Sequence, residues 1–357
     1  MLRAYLYTLI AVLTWGASLA VNKAIVVAER AGARLTPMQV AGWCIAIGWL
    51  SLLLVVLLRR RVGLLRHIHW RGALVLFAMG CFGWVGSVVL LNIAFARLPL
   101  SDAIVINYLH PVFTVAFQGP TFSSIVRRIS GWEQPVDRSR RPGPLLMGMG
   151  LALCLLGVAF IATEGNLSTL GALVSGTGSF RPSAVEGQPV AGALAALGAA
   201  ISWGIYSNLG RFVTVKHGRQ ATGLYDLHTL GAQTCGLAIL IVVLQVTGQE
   251  ALPNGYHTTM FFFGWGPAAV NAWPLIIGMG VVVYCLGFTM WLSAMELGAR
   301  TGVAHKLPPL AYLSPVLGVA VGWVLLREGF GPGFWPGTVL IVLGNTVNLF
   351  GRRTTRA

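Results

Sequence analysis

Long apolar runs are the feature of this sequence that most restricts its fold. A helix needs about 20 apolar residues to cross the hydrocarbon core of a bilayer, and runs of roughly that length recur along all 357 residues. Because a chain in lipid must satisfy its own backbone hydrogen bonds, helices are the expected form. The sequence therefore predicts an all-α integral membrane protein with ten transmembrane helices. The runs cover residues 5–28, 37–58, 72–95, 103–119, 144–163, 190–212, 224–247, 272–295, 303–326 and 333–351.

Composition and charge placement agree with a membrane protein. Only 10% of the residues are charged and the mean hydropathy is +0.75, whereas a soluble domain has about 25% charged residues. The net charge of +15 does not indicate a nucleic-acid partner, because most lysines and arginines lie at the termini and after every second run. This is the positive-inside pattern. It predicts a multi-pass protein of the plasma (inner) membrane with both termini in the cytoplasm.

Residues for catalysis or metal binding are sparse. The five cysteines lie singly in apolar runs without a Cys-x-x-Cys pair, so neither a metal site nor a disulfide framework is predicted. The spans contain no cluster of acids and bases that a catalytic site needs, and no nucleotide-binding motif. We therefore expect no enzyme activity, no cofactor and no metal.

Short motifs recur between the two halves of the chain. "YLHPV" at 108–112 returns as "YLSPV" at 312–316, and a Trp-Gly pair occurs at 15–16 and again at 203–204. The repetition divides the chain into a first repeat at 1–163, a flexible external linker at 164–189 and a second repeat at 190–357. Because each repeat has five spans, the two must cross the membrane in opposite directions. Such inverted repeats place the substrate site of secondary transporters near the midplane.

Two prolines lie near the middle of their runs, Pro111 in the fourth and Pro315 in the ninth. Proline has no N–H and breaks an α-helix, so we expect free carbonyls at Asn107 and Ala311. Free carbonyls at membrane depth are tolerated where protein or a water-filled cavity satisfies them. The pair predicts a shared central cavity, and the alternative is that each proline only kinks its helix for packing.

Three segments resemble a known family: the early "TWG", "AFARLPLSDAIVINYLHPVF" and "AMELGARTGVAHKLPPLAYLSPVLGVAVGWVLLREGF". They are similar to EamA members of the drug/metabolite transporter superfamily, and "INYLHPVFTVAF" most resembles the YddG-like amino acid exporters. The resemblance implies a monomeric basket of ten helices that exports amino acids or similar small metabolites by alternating access. Drugs and anionic, phosphorylated metabolites are the alternative substrates. His110 stands where that branch tends to have tryptophan.

Candidate cavity residues surround the repeated motifs. His110 is an ionisable group inside a span, which suits a substrate contact, a proton carrier or a structural hydrogen bond. Tyrosine and asparagine offer polar tips to a ligand, and the tryptophans of the Trp-Gly pairs offer walls for stacking. The further candidates are Asn107, Tyr108, Tyr312, Ser314, Trp15, Trp203, Asn92, Trp84, Tyr284 and Trp291.

Charged residues near the ends of runs have two interpretations each. Lys23 lies near the outer end of the first run, and snorkelling to the interface is favoured over contact with a substrate anion. His305 and Lys306 lie at the cytoplasmic entrance of the ninth helix, either as interface anchors or as substrate ligands. Ser101 and Asp102 are expected to cap the fourth helix and to complement its dipole. The loops at 120–143 and 248–271 remain without a predicted role.

Overall fold

The protein is seen in a computed structural model that describes fifteen stretches of the chain. These are residues 1–27, 36–60, 63, 70–117, 120–130, 144–163, 165–166, 189–217, 221–248, 257–262, 266–301, 307, 310–311, 313–327 and 329–350. Most helices follow the predicted apolar runs, whereas in the ninth run, 303–326, the α-helix begins at Leu313. They are α1 (Leu2–Val27), α2 (Pro37–Leu58), α3 (Trp70–Met79), α4 (Val88–Arg97), α5 (Leu100–Asn107), α6 (His110–Ala116), α7 (Pro120–Ser130), α8 (Pro144–Ala162), α9 (Pro189–His217), α10 (Ala221–Val246), α11 (Ala272–Gly278), α12 (Phe288–Arg300), α13 (Leu313–Leu326) and α14 (Phe334–Phe350).

Six helical stretches are long and apolar enough to cross a membrane: Leu2–Val26, Pro37–Leu58, Trp70–Arg97, Val190–Gly210, Thr229–Val246 and Trp273–Met295. Three further apolar helices are shorter, at Leu145–Ile161, Leu313–Leu326 and Phe334–Val347. The prediction of a helical protein that crosses the membrane several times is confirmed.

The fourth predicted helix is divided in two, as the proline in it indicated. α5 ends at Asn107 and α6 begins at His110, so Pro111 occupies the first turn of a new helix. The Tyr108 carbonyl at this break accepts a hydrogen bond from Asn345 Nδ2 of α14 at 3.4 Å. A side chain from the last helix therefore satisfies backbone that the break leaves outside the helical ladder.

The second proline does not interrupt a helix, contrary to the prediction. α13 begins at Leu313, so Pro315 lies in its first turn, where the missing N–H costs no hydrogen bond. Ala311 lies in a short 3₁₀ turn that precedes the helix. Pro315 thus marks a helix start, and the helix is only 14 residues long.

Two π-helical segments interrupt the long spans, and no residue pattern predicted them. The first, Gly80–Ser87, joins α3 to α4, and the second, Met279–Gly287, joins α11 to α12. A π-helix widens the helical turn and is frequent at functional sites. The segments therefore indicate a candidate functional region at this depth of both spans.

Equivalent contacts occur in the two halves. A Cβ on Gly80 would lie 2.7 Å from the Ala232 carbonyl oxygen of α10, and a Cβ on Gly280 would lie 3.1 Å from the Cys44 carbonyl oxygen of α2. In the same way α1 packs closely on α13, while α9 packs closely on α6. Helices α8 and α14 pack along each other. Contacts of this closeness require glycine at the interface.

Two loops contain structure that was not predicted. Strands β1 (His257–Phe262) and β2 (Gly266–Asn271) form an antiparallel hairpin in which His257 faces Asn271. β1 lies against α1 and α13. In the basic loop at 120–143, α7 forms a separate helix that packs on α3.

Candidate functional site: a cluster of aromatic side chains

Trp84 lies at the centre of a group of rings contributed by different spans. Its ring centroid is 5.0 Å from that of Phe288, 5.5 Å from Tyr284 and 6.4 Å from Tyr206. Trp84 comes from the first π-helical segment and Tyr284 from the second. The two unusual segments thus meet through their aromatic side chains.

Further rings extend the group in two directions. Trp15 of α1 lies 5.5 Å from Phe288 and 5.4 Å from Trp291, both of α12. On the other side, Trp203 of α9 lies 6.1 Å from Phe288 and 6.3 Å from His110. We call the connected set the aromatic cluster. Its members are Trp15, Trp84, Tyr108, His110, Trp203, Tyr206, Tyr284, Phe288 and Trp291.

Glycines on neighbouring spans make room for these rings. A Cβ on Gly236 of α10 would lie 2.9 Å from the Trp84 Cβ, and one on Gly287 would lie 2.9 Å from Trp15 Nε1. Gly83 in the same way borders the ring of Tyr206. Any larger residue at these positions would displace an aromatic side chain, because packed interiors have little free volume.

The cluster has a buried part and an accessible part. Trp84, Tyr206, Tyr284 and Phe288 are buried. Five members remain half-buried although each contacts another ring, so each keeps part of its surface accessible. These are Trp15, Tyr108, His110, Trp203 and Trp291.

Several polar atoms at the cluster are buried and have no hydrogen-bond partner among the described residues. Trp15 Nε1 and Trp84 Nε1 are donors, and Asn107 Oδ1 is an acceptor. Ser314 Oγ is a further such atom, and the Ser314 backbone borders Gly16, which follows Trp15. An unpaired buried polar group costs about 1–3 kcal/mol, so a ligand or water that bonds to it is favoured. The arrangement suits a molecule with a flat apolar body and a hydrogen-bonding end.

Lys23 is buried inside the protein, and the snorkelling interpretation is wrong. Its side chain is 1% exposed, and Nζ donates to the Leu98 carbonyl at 2.5 Å. Leu98 lies in the turn between α4 and α5. Lys23 therefore joins α1 to this turn and contacts the protein backbone.

Asn92 also differs from the expectation of a cavity-lining residue. It is fully buried and accepts from Asn22 Nδ2 at 2.6 Å, while its own Nδ2 donates to the Pro37 carbonyl at 3.1 Å. Because both ends of its amide bind protein groups, Asn92 ties α4 to α1 and α2.

The start of the fourth predicted helix was assigned incorrectly in one respect. Pro99 holds the N-cap position of α5 and no side chain caps the helix, so Ser101 is not a cap. Asp102 does lie in the first turn, where a carboxylate complements the helix dipole. Ser101 Oγ donates to Asp102 Oδ1 at 3.3 Å, and both residues are buried.

Three predicted site residues, Tyr312, His305 and Lys306, lie outside the described residues. Two cluster members, Tyr206 and Phe288, were missed by the sequence analysis. Both share a helix face with predicted residues, since Tyr206 follows Trp203 by three positions and Phe288 follows Tyr284 by four. That spacing was the signal that would have found them. Among the described residues no three His, Cys, Asp or Glu side chains are placed to hold a metal ion.

The fold and the site define a class: a helical, multi-pass membrane protein with an accessible group of aromatic side chains at the contact between its spans. The profile of the EamA-like transporter family matches residues 2–123 and 190–350. The chain belongs to this family and is a membrane transporter of the drug/metabolite transporter type. Members of the family are transporters rather than enzymes. None of the curated proteins compared with the chain matches it.

Proposed function

We propose that the protein is a secondary transporter that exports amino acids or similar small metabolites by alternating access. The aromatic cluster is the proposed substrate site. The observation that carries the proposal is the half-buried edge of the cluster, where Trp15, Trp203 and His110 border accessible space next to an unpaired indole N–H. A site of this kind is apolar with few polar groups, as ligand sites usually are.

The proposed architecture is ten spans in two inverted repeats of five, 1–163 and 190–357, joined by the linker at 164–189. Equivalent glycine contacts support it: Gly48 borders Tyr284 as Gly236 borders Trp84, and Gly16 borders α13 as Gly204 borders α6. The two segments that match the family profile fall in the two proposed repeats. With this plan the cluster lies at the repeat interface, where secondary transporters bind substrate.

Within the family we assign the chain to the YddG-like amino acid exporters on the strength of the segment around His110. Its imidazole lies 5.4 Å from the Tyr108 ring and 6.3 Å from the Trp203 ring, measured between centroids. A neutral imidazole both donates and accepts hydrogen bonds. In this proposal it holds one polar end of the substrate, while Trp15 and Trp203 cover the apolar part.

The alternative of an anionic, phosphorylated substrate loses one of its supports. That alternative required Lys23 as an anion ligand, and the Lys23 ammonium instead donates to a backbone carbonyl. The distribution of the basic segments supports a proposed orientation with both termini in the cytoplasm, and we propose the plasma (inner) membrane as the location. The transporter acts as a monomer in this proposal, with the bilayer and a small molecule as its partners.

Counterflow in proteoliposomes tests the proposal. Vesicles preloaded with a neutral amino acid should accumulate the labelled form of the same compound, without ATP. The panel includes neutral amino acids, sugar phosphates and a cationic dye, each at two pH values. Accumulation of sugar phosphates or dye alone would overturn the amino acid assignment. Conversion of any compound into a new chemical species would contradict the transporter assignment itself.

A further inference from the structure

Helix α7 is amphipathic, and it lies outside the ten apolar runs that were predicted to cross the membrane. It spans Pro120–Ser130 and carries Arg127 and Arg128 in its last turn. At 3.6 residues per turn, Phe122, Ile125, Val126 and Ile129 fall on one side. The two arginines fall on the other side. The helix therefore has a broad apolar face and a basic face.

Only part of the apolar face is covered by protein. Val126 is buried, and Phe122 packs against the core that includes Val75, Leu76 and Met79 of α3. Ile125 and Ile129, one turn apart, keep 50% and 49% of their surface exposed. Two exposed isoleucines side by side on a membrane protein require an apolar neighbour, and acyl chains supply one at the interface.

The surroundings of α7 place it at the membrane surface. α7 packs on α3, a span whose first residues are the exposed Trp70 and Arg71. The Arg71 guanidinium lies 5.3 Å from the Trp70 ring centroid. Tryptophan and arginine at the end of a span are typical of the headgroup region. α7 therefore packs on a span whose first turn carries residues typical of the headgroup region.

We propose that α7 and the start of α3 form a binding surface for anionic phospholipid. We call it the lipid surface and define it by Trp70, Arg71, Ile125, Arg127, Arg128 and Ile129. The isoleucines enter the acyl-chain boundary, and the arginines bind the headgroup phosphates. Arginine is suited to this role because its planar guanidinium makes paired hydrogen bonds to phosphate.

The lipid surface is connected to the aromatic cluster through rings. Phe122 of α7 lies 5.6 Å from Phe117, and Phe117 lies 6.5 Å from Phe113 of α6, the helix that starts with His110. Lipid bound at α7 therefore restrains the C-terminal end of α6, the helix that carries the predicted substrate contact His110. This connection makes the exchange rate sensitive to anionic lipid, a consequence that rests on the proposed function. The lipid binding does not rest on it.

The test is a titration of purified full-length protein in neutral detergent with phosphatidylglycerol and, separately, with phosphatidylcholine. Retained lipid is counted by native mass spectrometry. The wild type should retain phosphatidylglycerol preferentially, and high salt should weaken that retention. Each arginine contributes roughly a five-fold change in affinity near an anionic surface, so R127Q/R128Q should bind phosphatidylglycerol roughly 25-fold more weakly.

The matched control is R3Q/R327Q, which removes two exposed arginines from other elements and should keep the wild-type preference. Equal retention of both lipids by the wild type, or equal losses in the two double variants, would overturn the proposal. A second measurement does not depend on the arginines. A nitroxide label at Ile129→Cys in liposomes should be more accessible to oxygen than to a water-soluble nickel chelate. A label at Ser124→Cys should show the reverse, and an aqueous label at position 129 would also overturn the proposal.

Discussion

Trp84 and Tyr284 face each other with ring centroids 5.5 Å apart, and each lies in a π-helical segment of its own span. Gly236 borders the Cβ of Trp84, and Gly48 borders the Cβ of Tyr284. Trp84 and Tyr284 are therefore each attached to a backbone segment that packs tightly against a neighbouring span. The position of the aromatic cluster is fixed by these glycine contacts, since the rings have no room to retreat toward α10 or α2.

Gly48→Ala should destabilise the protein although alanine is the better helix former. The new Cβ would overlap the Cβ of Tyr284 and lie 3.2 Å from the Gly280 carbonyl oxygen. Overpacking of this kind costs about 1–3 kcal/mol, which a lower Tm in detergent would report. The control is Gly278→Ala, because nothing lies within 4 Å of a Cβ there. An equal loss of Tm in both variants would contradict the argument.

Lys23→Met should lower stability and leave substrate affinity unchanged. The Leu98 carbonyl would lose its ammonium donor in a buried place, at a cost of about 1–3 kcal/mol. Thermal unfolding checks the first expectation, and the KM of exchange in proteoliposomes checks the second. A ten-fold rise in KM with an unchanged Tm would instead make Lys23 a substrate ligand.

Local sequence patterns were sufficient to predict a helical protein that crosses the membrane several times, and to predict several residues of the aromatic cluster. Trp15, Trp203 and His110 stand out because large or ionisable side chains interrupt apolar runs at matching places in the two halves. The π-helical segments could not be predicted from the sequence, because their widened turns arise from packing between spans and no residue type specifies them. The break at Tyr108 was predicted from Pro111.

Other predictions were wrong because they inferred the environment of a residue from its distance to the end of an apolar run. Lys23 was expected at the interface since it lies near the end of its run, but the turn at Leu98 covers it. Pro315 was placed inside a helix because the apolar run begins earlier than α13 does. The position of Lys23 depends on a contact between distant parts of the chain, which single-sequence reasoning does not contain.

Arg59→Gln should destabilise the protein more than Arg60→Gln. Arg59 lies 3.3 Å from Asp226 of α10, and the Asp226 side chain is 3% exposed. Loss of the cation removes one partner of that buried carboxylate, and because Arg59 is 39% exposed we expect a loss of about 1–2 kcal/mol in stability, between surface and buried pairs. Arg60 is exposed, and its removal should change stability by less than about 0.5 kcal/mol.

The dependence of Tm on salt concentration is a second test of the Arg59–Asp226 pair. Screening weakens an ion pair that solvent reaches, so high salt should bring the Tm of the wild type toward that of Arg59→Gln. Equal effects of the two arginine substitutions at low salt would show that the contact between α2 and α10 contributes nothing measurable.

Trp203→Leu should slow transport by at least about ten-fold. The substitution removes ring contacts to Tyr206, Phe288 and His110, and a large aromatic at the edge of a ligand site contributes about 1–3 kcal/mol to binding. The measurement is counterflow of the neutral amino acid that the wild type exchanges fastest, with Tm recorded for each variant. Trp335→Leu is the matched control, since Trp335 is 62% exposed and packs on Phe330 and Phe334 outside the aromatic cluster. If the control lost as much exchange as Trp203→Leu, or if Trp203→Leu kept the wild-type rate, the cluster would not be the substrate site, because Trp203 belongs to the aromatic cluster and Trp335 does not.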